Sequence, residues 1–312
     1  MRSSKNHVIE KRIRRYILKN TINIVAVSDN NYAQHLSVTL TSLIKNSSGI
    51  ENIDLYIVDG GMSRKNKKML QNTMKNLENT LVFISIDRTI YKNARIDNHI
   101  TKAAYYRISL PPILNKEYHL DRVIYIDCDM IFNRDINKLW NINLANHTIG
   151  AIENLWADSR IEYLHIPKKY KYFNSGLLMI DTNKWVKEDI TNRTINYINR
   201  NGPRLTLHDQ DALNAVLYNK WLALPINWNV QSKIYEHYSE LSDKCIAFKK
   251  AAQNPYVIHY TGSVKPWNFE CKHPLKKEYY NYLSYTEWKN WKPRITVKSL
   301  VNRFFLKNYV NF

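Results

Sequence analysis

Apolar residues along the chain gather in short runs separated by polar, turn-forming stretches. Asn23 to Val27, Ile53 to Val58 and Leu81 to Ile86 are rich in β-branched residues, which predicts three buried strands. Between them the period lengthens. A helix is predicted through Leu36, Leu40 and Leu43, and a polar one from its cap Ser63 to about Asn79. Strands alternating with helices indicate an α/β chain with a parallel sheet of βαβ units. Further on, His99 to Leu110 reads as a helix stopped by Pro111 and Pro112. Thr148 to Ile152 reads as a strand. Tyr172 to Ile180 runs from polar to apolar, and Asn174 and Gly176 there suggest a close backbone approach. Asn183 to Asn199 reads as one amphipathic helix. Asp209 to Leu217 is a helix with acids in its first turn, where the dipole favours them. Tyr256 to Tyr260 is a short strand leading into a loop, Thr261 to Trp267.

The run from Arg122 to Phe132 stands apart. Val123 to Ile126 carries a buried strand to two carboxylates, Asp127 and Asp129, one residue apart. Two close acids repel unless a cation lies between them. The spacing suggests a divalent metal held by oxygen ligands, able in turn to hold a diphosphate. The alternative is a pair of solvated loop acids.

The chain has 312 residues and a net charge of +19, enough length for one large α/β domain with extensions. Residues 1–22 hold seven Lys/Arg against Glu10, and residues 271–312 hold nine against Glu278 and Glu287. Basic ends on a milder centre suggest an anionic surface as partner. A nucleic-acid binder would spread its charge over the body with interleaved aromatics, so nucleic acid is not the expected partner. Three cysteines are too few for a disulfide framework and fit a reducing compartment. No secretory signal and no spanning apolar run are read.

In open parallel sheets, ligands sit beyond the carboxyl ends of the strands. Asp29, Asn31 and Tyr32 follow the first strand. Asp127 and Asp129 end the central one. His259, Gly262 and Lys265 follow the last. All three groups would face one crevice. Taken singly, each has an ordinary reading: Asp29 and Asn31 as turn residues, His259 as a core histidine, Lys265 as a solvated lysine. Asp209 likewise reads as a helix cap and Arg107 as a structural ion-pair partner.

Six pieces in order resemble the family 8 glycosyltransferases, retaining enzymes of the GT-A fold. They are Val27 to Tyr32, His99 with Arg107, Val123 to Asp129, Tyr172 to Gly176, Asp209 to Asn214, and His259 to Trp267. Within that family the chain looks most like the bacterial lipooligosaccharide α-galactosyltransferases. The resemblance implies a catalytic domain over residues 23–270, with a basic arm before it and a basic aromatic tail at 271–312.

The resemblance also implies roles. Val27, Asp29 and Asn31 would bind uridine, with Tyr32 stacking on the uracil and Cys128 in the same donor site. Asp127, Asp129 and His259 would hold Mn2+, and Gly262 and Lys265 the diphosphate. Arg107, Asn174, Asp209 and Gln210 would hold the donor sugar, and His99 would line the sugar and acceptor site. Glu153 stands where relatives carry Asp beside the acceptor, and Leu207 where they carry an aromatic residue. Gln210 is a poor nucleophile, which implies front-face attack with retention; Asp211 is the fallback nucleophile. The expected reaction moves a hexose, galactose first and glucose as the alternative donor sugar, from UDP to a cell-surface glycan such as lipooligosaccharide. A catalytically silent sugar-nucleotide binder is the other alternative.

The tail has its own pattern. Val297, Leu300, Val301, Phe304 and Phe305 recur at three- and four-residue steps, with Lys298, Arg303 and Lys307 largely between them. Upstream, Tyr279, Tyr280, Tyr282, Trp288 and Trp291 are rings suited to a headgroup zone. The tail is expected to lie on the cytoplasmic face of the membrane, making the enzyme peripheral. The alternative is packing against the catalytic domain or a second copy of the chain.

Overall fold

The structure is a computed structural model that describes residues 21–86, 105–155, 157–241 and 245–305. Almost all of the basic N-terminal arm, His99 and Lys307 lie outside the described residues.

The first three strands form as β1 (Ile22–Ser28), β2 (Ile53–Asp59) and β3 (Leu81–Ile84). They are followed by β4 (Arg122–Ile126), β5 (Met130–Phe132), β6 (Ile149–Glu153), β7 (Phe173–Asp181), β8 (Trp221–Ala223), β9 (Val230–Gln231) and β10 (Val257–His259). Among the described residues, seven strands make one sheet in the order β3-β2-β1-β4-β7-β6-β8, and β5-β10-β9 make a small second sheet. The large sheet is mostly parallel. β7 is its exception, running antiparallel to both β4 and β6. Helices cover both faces. Ile22, Ile24 and Ala26 of β1 enter one core while Val25 and Val27 enter the other, which is why the strand reads as an unbroken apolar run.

The main helices are α1 (Ala33–Lys45), α2 (Arg64–Asn76), α3 (Tyr106–Tyr118), α4 (Asp158–Tyr163), α5 (Thr182–Lys187), α6 (Ile190–Asn201), α7 (His208–Leu217), α8 (Lys276–Leu283) and α9 (Val297–Phe305). Ser63 caps α2 as predicted, its Oγ accepting from the Asn66 N–H at 3.2 Å.

Two helices depart from the sequence pattern. α3 does not stop at Pro111 and Pro112 but runs through them to Tyr118. Pro112 has no N–H for the Ile108 carbonyl four residues back; the Thr191 hydroxyl donates to that oxygen instead, at 2.8 Å. The helix expected over 183–199 is two helices. Asp189, at φ 53° in the left-handed region, breaks the turn between α5 and α6. Trp185 and Ile190 on either side of the break are both buried, so the apolar pattern continues across it.

The C-terminal rings also differ from expectation. Tyr279 and Leu283 of α8 are buried against Val38, Ile131, Ile258 and Tyr260, and Tyr280, Tyr282, Trp288 and Trp291 pack on the same cluster. These rings face the protein. α9 is different in kind: Val297 is 78% exposed, Phe304 83% and Phe305 78%. No helix among the described residues is long and apolar enough to cross a membrane.

Candidate functional site

A cleft of about 440 Å³ opens at the carboxyl ends of β1, β4 and β10. It is lined by Val27, Asp29 and Tyr32 after β1, by Asp127, Cys128 and Asp129 after β4, and by His259, Gly262 and Lys265 after β10. Arg107 of α3, Asn174 and Ser175 of β7, and Leu207, Asp209 and Gln210 at the start of α7 close its other side. The topology thus gathers residues more than 230 positions apart, from Val27 to Lys265.

At the β1 end, Asp29 Oδ1 accepts from the N–H groups of Asn31 and Tyr32 at 2.9 and 3.1 Å, folding the turn that starts α1. Asn31 itself is exposed beside the cleft rather than lining it. The Tyr32 ring meets Trp267 edge-on at 5.9 Å, and Trp267 stacks on His35 at 3.4 Å. The His35 Nδ1 lies 2.8 Å from the Tyr279 hydroxyl. Burial holds the His35 imidazole down to about 3, so it is neutral near pH 7. Cys128 rests its thiol against the Val27 carbonyl at 3.1 Å.

Asp127, Asp129 and His259 offer ligand atoms that all lie within 4.8 Å of one another. An octahedral ion with ligands at about 2.1 Å holds neighbouring and opposite donors about 3 to 4 Å apart, so the set fits a small divalent cation. Asn229 Oδ1, an acceptor, lies 2.8 Å from His259 Nδ1, which puts the ring proton there. His259 Nε2 then faces Asp129 Oδ1 at 3.3 Å, an acceptor against an acceptor that needs a proton or cation between them. Lys265 Nζ adds a cation at Asp129 Oδ2. Burial raises the Asp129 carboxyl, but Lys265 and His259 outweigh it and hold it far below the usual range. Gly176 makes room for the cluster: a Cβ there would lie 2.4 Å from His259 Cε1 and 2.7 Å from Asp127 Oδ2.

Arg107 is buried between two acids, 3.0 Å from Asp127 Oδ1 and 3.0 Å from Asp209 Oδ2, and donates to the Ser175 carbonyl at 2.7 Å. Burial pushes the Asp209 carboxyl up to about 6 despite Arg107, with Asp127 adding to the rise. The Arg107 Nε–H is not aimed at Asp209 Oδ2, so that buried oxygen has no hydrogen bond among the described residues. Gln210 presents its amide to the same cleft.

Two residues expected at the site stand off it. Glu153, at the end of β6, pairs with Lys171 at 3.3 Å and does not line the cleft. Asp211 is fully buried behind Gln210. Several residues that shape the site had no role in the sequence reading. Ser175 and Tyr172 fall inside a motif that the sequence singled out. Trp267 likewise closes the motif that begins at His259, whereas Asn229, Arg160 and His35 carry no such signal, since their partners are brought near only by folding.

The sequence profile of glycosyl transferase family 8 matches residues 23–271, four-fifths of the chain. This chain belongs to glycosyl transferase family 8. It is a UDP-sugar-dependent glycosyltransferase. Among its relatives, general stress protein A of Bacillus subtilis is 40% identical over 273 residues, covering 86% of this chain and 94% of that protein. The lipopolysaccharide 1,2-glucosyltransferase of Escherichia coli K12 is 29% identical over 297 residues, covering 92% and 84%. The solved galactosyltransferase LgtC, in complex with donor and acceptor sugar analogs, superposes with a TM-score of 0.75 at 20% identity, covering 90% of this chain and all of that one. At that identity the likeness is one of fold, and the fold of this family 8 chain is GT-A.

Proposed function

We propose that this protein transfers a hexose, galactose first, from its UDP-sugar to a hydroxyl of a lipopolysaccharide-type glycan, with Mn2+ and with retention. The observation that carries the reading is the meeting of Asp127, Asp129 and His259 with the Lys265 ammonium in one cleft that Asp209, tied to Asp127 through Arg107, and Gln210 also line. Mn2+ held by the two acids and the imidazole would offset the charge of a diphosphate leaving group.

The remaining chemistry belongs to the chain. Tyr32 offers a ring to the base, with Val27, Asp29 and Asn31 beside it and Cys128 behind. Lys265, released from Asp129, pairs with the diphosphate, over which Gly262 (φ 85°) lets the loop turn closely. Arg107 and Asn174 orient the sugar, and Asp209, with one buried oxygen lacking a hydrogen bond, accepts from a sugar hydroxyl. Gln210 lies on the face opposite the leaving group. An amide is a poor nucleophile, so the acceptor enters on the side that UDP leaves and a diphosphate oxygen takes its proton. His99 and Leu207 belong to the acceptor side of this reading, and Glu153, paired with Lys171, does not line the cleft.

Glucose is the second donor reading, because the Escherichia coli relative is named a glucosyltransferase. The exposed apolar stripe of α9 beside Lys298 and Arg303 supports docking on an anionic membrane surface, where a lipid-linked acceptor is met. A screen of UDP-sugars for Mn2+-dependent UDP release tests the donor and the metal together. Release with neither UDP-galactose nor UDP-glucose, or release unchanged in EDTA, refutes the proposal. Proton NMR of the fresh product tests retention; a β linkage refutes it.

A further inference from the structure

The side chain of Gln210 has an inherent ambiguity. Its amide has nearly the same shape either way round but opposite hydrogen-bonding ends. Turned over, it offers N–H groups where an amide oxygen would steady the positive charge that develops on the sugar as UDP leaves.

The structure ties both ends. The Ser175 backbone N–H, which only donates, lies 3.0 Å from Gln210 Oε1, and Asn174 Nδ2 lies 3.2 Å from the same oxygen. At the other end Gln210 Nε2 lies 3.2 Å from the Tyr172 hydroxyl. That hydroxyl lies 2.8 Å from Asp211 Oδ1. Asp211 is fully buried, and its two oxygens also accept from Arg160 Nε at 3.1 Å, from a terminal Arg160 nitrogen, and from the Leu207 N–H at 2.8 Å.

The direction of this chain is set by charge. A carboxylate paired with a guanidinium only accepts, so the Tyr172 proton points at Asp211. The lone pairs of the phenol then face Gln210, and only the NH2 end can meet them. Burial, with Asp211 adding to it, keeps the Tyr172 phenol protonated. The same bonds bear on Asp211. A carboxylate has about four acceptor sites, and four donors fill them. With no lone pair free and no surface on the cleft, Asp211 is badly placed to attack a sugar.

We propose that Arg160, Asp211 and Tyr172 form a positioning relay that fixes the Gln210 amide with its oxygen toward Ser175, and that Asp211 works through this relay rather than as a nucleophile. The proposal rests on the reading that Gln210 faces the donor sugar.

Tyr172→Phe keeps the ring and removes the relay. It should lower kcat by about 10- to 100-fold, the range for losing a hydrogen bond tied to a charge. The donor KM, and UDP affinity by calorimetry, should stay within about twofold, since the relay touches neither uridine nor diphosphate. A merely structural role would move these together with thermal stability. The deciding measurement is a double-mutant cycle. In a Gln210→Ala background, read as slow UDP release at high enzyme concentration, Tyr172→Phe should have no further effect. An equal loss in both backgrounds overturns the relay while leaving the role of Gln210 intact. If Gln210→Ala itself keeps full kcat, the reading of Gln210 fails instead. Should Tyr172→Phe fold poorly, Arg160→Lys provides a second variant, keeping the charge but not the two-nitrogen grip, with the same non-additivity expected. A hexose adduct on the Asp211 peptide after rapid quenching with donor would also overturn the proposal.

Discussion

Lys265 Nζ lies 2.5 Å from Asp129 Oδ2 and 2.6 Å from the Tyr260 carbonyl oxygen. The protein's own ammonium thus occupies one oxygen of a proposed metal ligand. In the proposed reaction a divalent ion would compete with Lys265 for that carboxylate, and its arrival would release the lysine toward the diphosphate. Lys265→Met should therefore tighten Mn2+ binding in the absence of nucleotide by about tenfold and weaken UDP binding by at least as much. Calorimetric titrations of Mn2+ alone, and of UDP with Mn2+ saturating, check both signs. Weaker Mn2+ binding in the variant would contradict this competition.

Asp129→Ala should lower transfer by about 10³-fold or more, because several kcal/mol of charge stabilisation depend on the ion. The far-UV spectrum should be unchanged. Added Mn2+ should restore EDTA-treated wild type and leave the variant inactive. A variant with appreciable activity rules out the metal assignment.

Arg107 is buried, and so is Asp209, one of the two acids it pairs with; Asp127 is half-buried. Arg107→Met should destabilise the fold by about 3–5 kcal/mol at pH 8, the usual cost of breaking a buried ion pair. The loss should shrink at pH 5, where Asp209, already pushed up to about 6, takes a proton and no longer needs the guanidinium. Urea midpoints at the two pH values decide this. An equal loss at both would mean that Asp209 stays charged.

His35 and His273 are both held by burial to about 3, against about 6.5 when unfolded. Their folded values are depressed, so the unfolded chain binds the extra protons. Stability is full above pH 6.5 and falls as the pH drops from there toward 3. Two such groups give a slope approaching about 2.7 kcal/mol per pH unit, and Asp209, which gains its proton in the folded state first, offsets about half of it. The expected net slope between pH 6 and 5 is about 1.4 kcal/mol per unit. A flat urea stability profile over that unit would be the contrary result.

Removing the chain after Arg294 takes away α9 and leaves α8 in place. The shortened protein should still turn over a small soluble acceptor such as lactose at close to the intact rate. It should lose sedimentation with anionic liposomes, while the intact chain binds and is released by salt. Equal sedimentation of both would remove α9 as the membrane contact.

Much of this was legible from the residues, for physical reasons. Strands buried on both faces leave unbroken apolar runs, so β1, β2 and β4 could be read directly. Carboxylates at the end of such a run, as at Asp127 and Asp129, are conspicuous because burial makes them costly. Direction was not legible: β7 looks alike whether its neighbours run with it or against it. Pro111 and Pro112 misled because the acceptor freed by Pro112 is satisfied by Thr191, eighty-three residues away from Ile108. The pairing of Asp211 with Arg160 was not legible, because nothing beside Asp211 in sequence announces that partner. The rings at 279–291 looked amphipathic because a tyrosine suits a membrane boundary and a hydrogen-bonded core equally well.

The profile shared with relatives ends at residue 271. The folded unit does not end there. The Tyr279 hydroxyl takes the Gln34 amide at 2.9 Å and meets His35 at 2.8 Å, under the Trp267 ring that Tyr32 leans on. A chain trimmed to the recognisable segment would bare Val38, Ile131 and Ile258 and leave the imidazole of His35 without its phenol. The border of the family profile and the border that folding draws lie some twenty residues apart, since Trp288 and Trp291 still pack on the core. The end of the cleft that holds Tyr32 therefore depends on a stretch of chain that no motif marks as part of the enzyme.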